Sequence, residues 1–156
     1  MWGFHIPIPN DVANVFVKEK KNKRVVCDFQ NGKQIVHCAL MPDGLGGWFI
    51  NMNKELRKKL GLHLHDDVEI SMTEDSSKYG MPMPEEFDEL LNMDPEGSEL
   101  FHALTAGKQR TLIHLVGKYK SSDTRINKAL IIVNYLKYTQ GNLDYKELNQ
   151  AFKDGI

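Results

Sequence analysis

The densest cluster of groups suited to holding an anion lies between residues 108 and 128. There Lys108, Arg110, Lys118, Lys120, Arg125 and Lys128 face a single acid, Asp123. Asp123-Thr124-Arg125 reads as a helix start with Lys120 just ahead of it. Backbone N–H groups, a hydroxyl and a guanidinium then meet at one corner, a combination that suits phosphate or carboxylate. Lys120, Thr124, Arg125 and Lys128 are therefore candidate anion ligands, and Arg57 and Trp48 from the first half of the chain join them. A competing reading is as simple. Residues 85–99 hold Glu85, Glu86, Asp88, Glu89, Asp94, Glu96 and Glu99 with no Lys or Arg, and the acidic and basic runs can neutralise each other across helices.

Other reactive residues carry weaker patterns. His63 and His65 alternate with Leu62 and Leu64 and stand beside Asp66 and Asp67, which sketches a metal site but fits a polar strand face beside a turn equally well. His37, His102 and His114 have no nucleophile and orienting acid in sequence context. Ser71, Ser76 and Ser77 lack a nucleophile-elbow setting. The glycine-rich run Met41–Gly47 contains neither GxGxxG nor GK[ST] and leads into a strand, so turn chemistry is its expected use. Trp2, Phe4, Trp48, Phe49 and Tyr79 are too dispersed to form a stacking platform. No catalytic residue, no metal and no cofactor is expected.

The elements that must position these groups divide at the polar break Thr73–Gly80. Before it the chain is strand-rich. His5-Ile6-Pro7-Ile8-Pro9 is an edge segment, and Asn10-Asp11 is placed to cap a short helix, Val12 to Val17. A basic run from Lys18 to Arg24 reads as a solvated loop or charged strand edge. Asn31-Gly32 is a strong hairpin signal, because type I′ turns need positive φ at both central residues. That turn pairs Gln30 with Lys33, Cys27 with Val36 and Val25 with Cys38. Val25, Cys27, Phe29, Val36 and Cys38 then share one apolar face, with two buried thiols as diagonal neighbours. Trp48-Phe49-Ile50 forms a strand, Lys54 to Leu60 a basic helix ended by Gly61, and Val68, Ile70 and Met72 an alternating strand.

After the break the punctuation is helical. Pro84 opens a helix with Phe87, Leu90 and Leu91 inward. Asp94-Pro95 opens a second, with Leu100, Phe101 and Leu104 inward and Gly107 as its stop. Lys108 to Lys120 makes a third around Leu112, Ile113, Leu115 and Val116. Asp123 caps a fourth, Thr124 to Tyr138, with the stripe Ile126, Leu130, Val133 and Leu136. Asp144 caps a last helix from Tyr145 to Lys153. The expected architecture is α+β: a small, mostly antiparallel β-barrel over residues 1–79, then a helical subdomain over 80–156 packed on it.

At 156 residues, with 26% charged residues and a net charge of −1, the chain is not a globally basic nucleic-acid binder. It lacks the ~20-residue apolar run of a membrane helix and the pattern of a secretory signal. Two cysteines without CxxC spacing fit a reducing compartment. A cytoplasmic protein is expected.

Two resemblances extend this reading. The Asn31-Gly32 hairpin with Asn53-Lys54-Glu55-Leu56-Arg57-Lys58-Lys59-Leu60-Gly61 resembles a bacterial domain of unknown function with an AbrB/MazE-type double-split barrel. His65-Asp66 or Asp66-Asp67 replaces the usual Gly-Asp there. Pro82-Met83-Pro84 with the Phe87/Leu90/Leu91 helix, then Phe101 and Leu104, then Lys120 to Lys128, resembles the YdeI/OmpD-associated (bacteriocin-protection) family. Tyr119, Leu115 and Lys128 depart from its usual residues. The resemblances imply a bacterial cytosolic protein with a barrel and a helical appendage, and they carry over no catalytic residue. The first expectation for its function is a non-enzymatic binding or interaction protein linked to stress or bacteriocin tolerance. Its partner would be a small anionic ligand or a protein. An enzyme with an unrecognised site is one alternative, and a DNA-binding regulator is the alternative that the barrel analogy implies. Only Lys54, Arg57, Lys58 and Lys59 would serve it, against ten acids in residues 1–79, so electrostatic steering is weak.

Overall fold

The computed structural model describes residues 4–18 and 23–155. Trp2 and most of the basic run, residues 19–22, lie outside them. The chain forms two compact units, Met1–Gly80 and Met81–Ile156.

The first unit contains two three-stranded antiparallel sheets. In one, β5 (Trp48–Met52) is central between β1 (Phe4–Ile8) and the two-residue β4 (Met41–Pro42). In the other, β2 (Arg24–Phe29) is central between β3 (Gln34–Ala39) and β6 (Ile70–Glu74). Prolines sit on both edges of the first sheet, Pro7 opposite Phe49 and Pro42 opposite Trp48.

These sheets do not close into the expected barrel. Closure needs hydrogen-bonded edges all round, and no ladder among the described residues joins one sheet to the other. The strand–helix–strand stretch explains why. Its first strand, β5, lies in one sheet, whereas its second, β6, begins at Ile70 and pairs with β2 in the other. The strand reading that began at Val68 is thus two residues early.

The hairpin register is the one its buried face requires. Cys27 faces Val36 and Val25 faces Cys38, while Val26 lies opposite His37 on the other face. The connection is longer than a two-residue turn. Gln30, Asn31 and Gly32 all have positive φ (52°, 54° and 88°), and the Lys33 N–H donates to the Phe29 carbonyl. Asp28 steadies it by accepting from the Gly32 N–H at 2.6 Å. Val25, Cys27 and Phe29 join Ile8, Ala13, Leu40, Ile50, Met52, Leu56 and Leu60 in one core.

Helix α1 (Asn10–Val17) starts two residues earlier than expected. Pro9 stands at its cap position, and neither Asn10 nor Asp11 caps it. Helix α2 (Lys54–Leu60) forms as its sequence dictates. Asn53 Oδ1 accepts from the Leu56 N–H at 2.7 Å. At the other end Gly61 takes the left-handed conformation, φ 66°, and the Leu62 N–H reaches the Arg57 carbonyl, a Schellman-type stop. Leu56 and Leu60 anchor the helix in the core.

The second unit is all helical: α3 (Glu85–Met93), α4 (Pro95–Ala103), α5 (Ala106–Gly117), α6 (Ser122–Tyr138) and α7 (Tyr145–Asp154). Helix α6 packs against each of the other four. Pro84 precedes α3 rather than opening it. Gly107 is inside α5, which Thr105 caps. Ser121, not Asp123, caps α6. Gly97 brings α4 close to α6: a Cβ there would stand 2.5 Å from Val133 Cγ1. The expected apolar stripe of α6 holds only in part, at Val133 and Leu136. Ile126 and Leu130 are exposed, whereas Ala129, Ile131, Ile132, Val133, Tyr135 and Leu136 are buried. Asp144 caps α7 through the Lys146 and Glu147 N–H groups. Among the described residues, no helix is long and apolar enough to cross a membrane.

Candidate functional site

The chemistry worth following in the first unit gathers around Arg57. The residue sits on the last turn and a half of α2, between the buried Leu56 and Leu60. Its guanidinium carbon lies 3.6 Å from the centroid of the Phe4 ring on β1. This stacking suits a planar, weakly hydrated cation. Arg57 Nε is buried and has no hydrogen-bond partner among the described residues. Around it opens a cleft of about 80 Å³, with His5, Ile6, Met52, Leu62, His63, His65 and Asp66 among its walls. The stop at Gly61 turns the chain back so that residues 62–66 form this rim. His65 takes a left-handed φ of 69°, and Asp66 is held by the His63 N–H at 2.7 Å. The cleft therefore brings together a guanidinium, three imidazoles and one carboxylate, Asp66, whose Oδ2 lies 3.6 Å from His63 Nδ1. Among the described residues, no hydroxyl or thiol lines it.

Trp48, the other candidate in this unit, is on β5 with the Lys23 ammonium 4.7 Å over its ring. It is not among the residues of the Arg57 cleft.

The corner at Lys120–Arg125 forms, but its guanidinium is occupied by the chain itself. Arg125 donates to Glu86 Oε1 at 2.6 Å and to the carbonyls of Tyr119 and Lys120 at 3.0 and 2.7 Å. Thr124 gives its N–H to Ser121 Oγ at 3.4 Å. Lys128 lies over two rings, 4.8 Å from Phe152 and 5.5 Å from Tyr119. The Lys120 side chain is exposed. The corner works as a brace. Arg125 closes the turn between α5 and α6 and ties it to α3, and Lys137 to Asp94 at 2.7 Å repeats the device between α6 and the start of α4. The acidic run 85–99 and the basic run 108–128 thus neutralise each other at one point, Glu86 with Arg125, while Lys137 lies beyond the basic run.

The brace has a pH signature. The Arg125 bond holds the Glu86 carboxyl down at about 2, helped by hydrogen bonds from its own backbone and from Ser122. A carboxylate held lower in the folded than in the unfolded chain stabilises fully above its ordinary range and loses that contribution as pH falls through the folded value. The stability difference between the parent and Arg125→Met should therefore be constant above about pH 5. It should shrink steadily between there and about pH 2. Melting temperatures across that range check it, and a difference independent of pH would contradict the assignment.

One polar cluster gave no sequence signal. Asp75, its side chain 1% exposed, accepts from His37 Nδ1 at 2.8 Å and from both the N–H and the hydroxyl of Ser77. Ser, His and Asp are present, but Ser77 bonds to the acid and not to the imidazole, so the order of a catalytic triad is absent. Burial pushes the Asp75 carboxyl up, and the bonds from Ser77 and His37 more than offset it, leaving it below the ordinary range. His63 and His65 do not complete a metal site. Among the described residues, no three His, Cys, Asp or Glu side chains are grouped to hold an ion.

Comparison with known families gives two matches in tandem. Residues 2–72 match a family described as a domain of unknown function, DUF1905. Residues 80–137 match one described as "Bacteriocin-protection, YdeI or OmpD-Associated", OmdA. Neither match points to the AbrB/MazE barrels. No curated protein and no solved structure matches the chain.

Proposed function

We propose, on the premise that this chain joins a DUF1905 domain to an OmdA region, that it is a non-enzymatic cytosolic protein that binds a small anionic ligand at Arg57. The observation that carries this reading is the buried Arg57 Nε, which has no hydrogen-bond partner among the described residues. A guanidinium has five N–H donors in a fixed fork, and a buried donor left unmade costs about 1–3 kcal/mol. A carboxylate or phosphate supplies two acceptors in the matching geometry. Phe4 covers one face of the fork, so the anion approaches in the plane, toward the imidazoles of His5, His63 and His65. Two free cysteines fit a reducing compartment. A link to bacteriocin tolerance rests on the family description of residues 80–137 alone.

The Lys120–Arg125 corner is a poorer choice, because a ligand there would have to displace Glu86 and two carbonyls from Arg125. The test is a thermal-shift series with inorganic phosphate and citrate on the parent, Arg57→Met and Arg125→Met. A ligand at ~100 times its Kd adds about 2.7 kcal/mol to stability. The parent and Arg125→Met should both be stabilised, and Arg57→Met should lose most of the response. Equal responses in the parent and Arg57→Met would remove the site. Retention of duplex DNA at low salt, lost when the exposed Lys54 and Lys58 are replaced, would favour the regulator reading instead.

A further inference from the structure

The two cysteines stand on the apolar face of the β2–β3 hairpin as diagonal neighbours, Cys27 opposite Val36 and Cys38 opposite Val25. Their sulfur atoms are 3.6 Å apart and share a hydrogen bond. The two environments differ. Cys27 is on the central strand and fully buried, whereas Cys38 is on the edge strand and half-buried. Arg24, opposite Ala39 at the end of the same ladder, places positive charge near Cys38. The Cys27 thiol, its hydrogen bond directed to Cys38 and its surroundings dry, holds its proton. The Cys38 sulfur is favoured as thiolate by that bond and by Arg24, against its own burial and the Asp75 carboxylate. Reactivity toward oxidants belongs to thiolates that solvent reaches, with a second thiol poised to resolve the product.

We propose that Cys27 and Cys38 form a peroxide-sensitive dithiol, with Cys38 the sulfur attacked first and Cys27 the resolving one. In the first step the Cys38 thiolate attacks one oxygen of hydrogen peroxide. An S–O bond forms, the O–O bond breaks, and hydroxide leaves to take up a proton as water. Sulfur is oxidised to a sulfenic acid and the peroxide is reduced. In the second step Cys27 loses its proton and attacks the Cys38 sulfur. The S–S bond forms, the S–O bond breaks, and the departing hydroxide takes the Cys27 proton. Two thiols and one peroxide give one disulfide and two waters. The sulfurs must close by about 1.6 Å to reach bonding distance. Within a paired hairpin that closure strains the bridge and leaves it easy to reduce.

The experiment treats the whole 156-residue chain with hydrogen peroxide, blocks remaining thiols under denaturing conditions, and maps tryptic peptides. Lys33 lies between the two cysteines, so an intramolecular bridge joins two peptides that are otherwise separate. The expected result is that linked pair, with both free thiols lost together and restored by dithiothreitol. In Cys27→Ser, a sulfenic acid at Cys38 should be trapped by dimedone. In Cys38→Ser, the remaining thiol should react at least about tenfold more slowly. The proposal is overturned if the parent yields no linked peptides, if it accumulates sulfinic acid at Cys38, or if both single variants react at the same rate. The parent-protein mapping stands even if either variant folds poorly.

Discussion

Replacing Phe101 with alanine should cost the helical unit about 3–5 kcal/mol, a large share of the ~5–15 kcal/mol that holds a typical domain. Phe101 has no exposed surface. It meets the equally buried Phe87 edge to face, ring centroids 5.2 Å apart, so the loss adds a specific aromatic contact to plain burial. Helix α4 is drawn close to α6 at Gly97, which leaves the backbone little freedom to collapse into the vacated space. A cavity that cannot relax is the costly kind. In urea the midpoint should fall with the slope unchanged. Leu130→Ala, on the exposed side of α6, should cost less than about 1 kcal/mol. Similar losses in the two variants would mean that the helical core is not centred on Phe101.

In the first unit the largest polar effect should come from Asp75→Ala, about 2–3 kcal/mol. The carboxylate accepts three hydrogen bonds from His37 and Ser77, and the Asp75 N–H itself donates to the Arg24 carbonyl at the end of β2. Removing it leaves a half-buried imidazole and a turn without their shared acceptor. Because Asp75 is held below the ordinary carboxylate range, this contribution is complete above that range and disappears as pH falls through the folded value. Asp75→Asn keeps an acceptor for Ser77 and should lose less. Chemical denaturation at neutral pH and near pH 3 separates the cases. A loss that is unchanged at the lower pH would show that the carboxylate charge is irrelevant.

Some of this was legible in the sequence because local and tertiary demands agreed. The hairpin register follows from one buried face: a slip by one residue would turn Val25, Cys27 and Phe29 to the opposite side. Helix α2 carries its own start at Asn53 and stop at Gly61. The barrel was not legible, because closure depends on which edge finds which partner, and β6 found β2. The α6 stripe held at Val133 and Leu136 but not at Ile126 and Leu130, for a related reason. One stripe describes a helix with a single neighbour, whereas α6 has four, so burial wraps round to Ile131 and Ile132. At the candidate sites, residue type identified Arg57 and Arg125 as suited to anions. It could not reveal that Glu86, 39 residues away, holds one of them, or that Phe4 merely stacks on the other.

The open sheets leave four strand edges, and the chain treats them unequally. β1 and β4, the two edges of the sheet centred on β5, each contain a residue with no N–H to give, Pro7 and Pro42. A strand arriving from another copy of the protein would meet an interrupted ladder on either side. The edges formed by β3 and β6 contain no proline. Aggregation by strand recruitment at high concentration would therefore begin at the hairpin sheet, and charged substitutions intended to suppress it belong on β3, where Ile35 is already exposed.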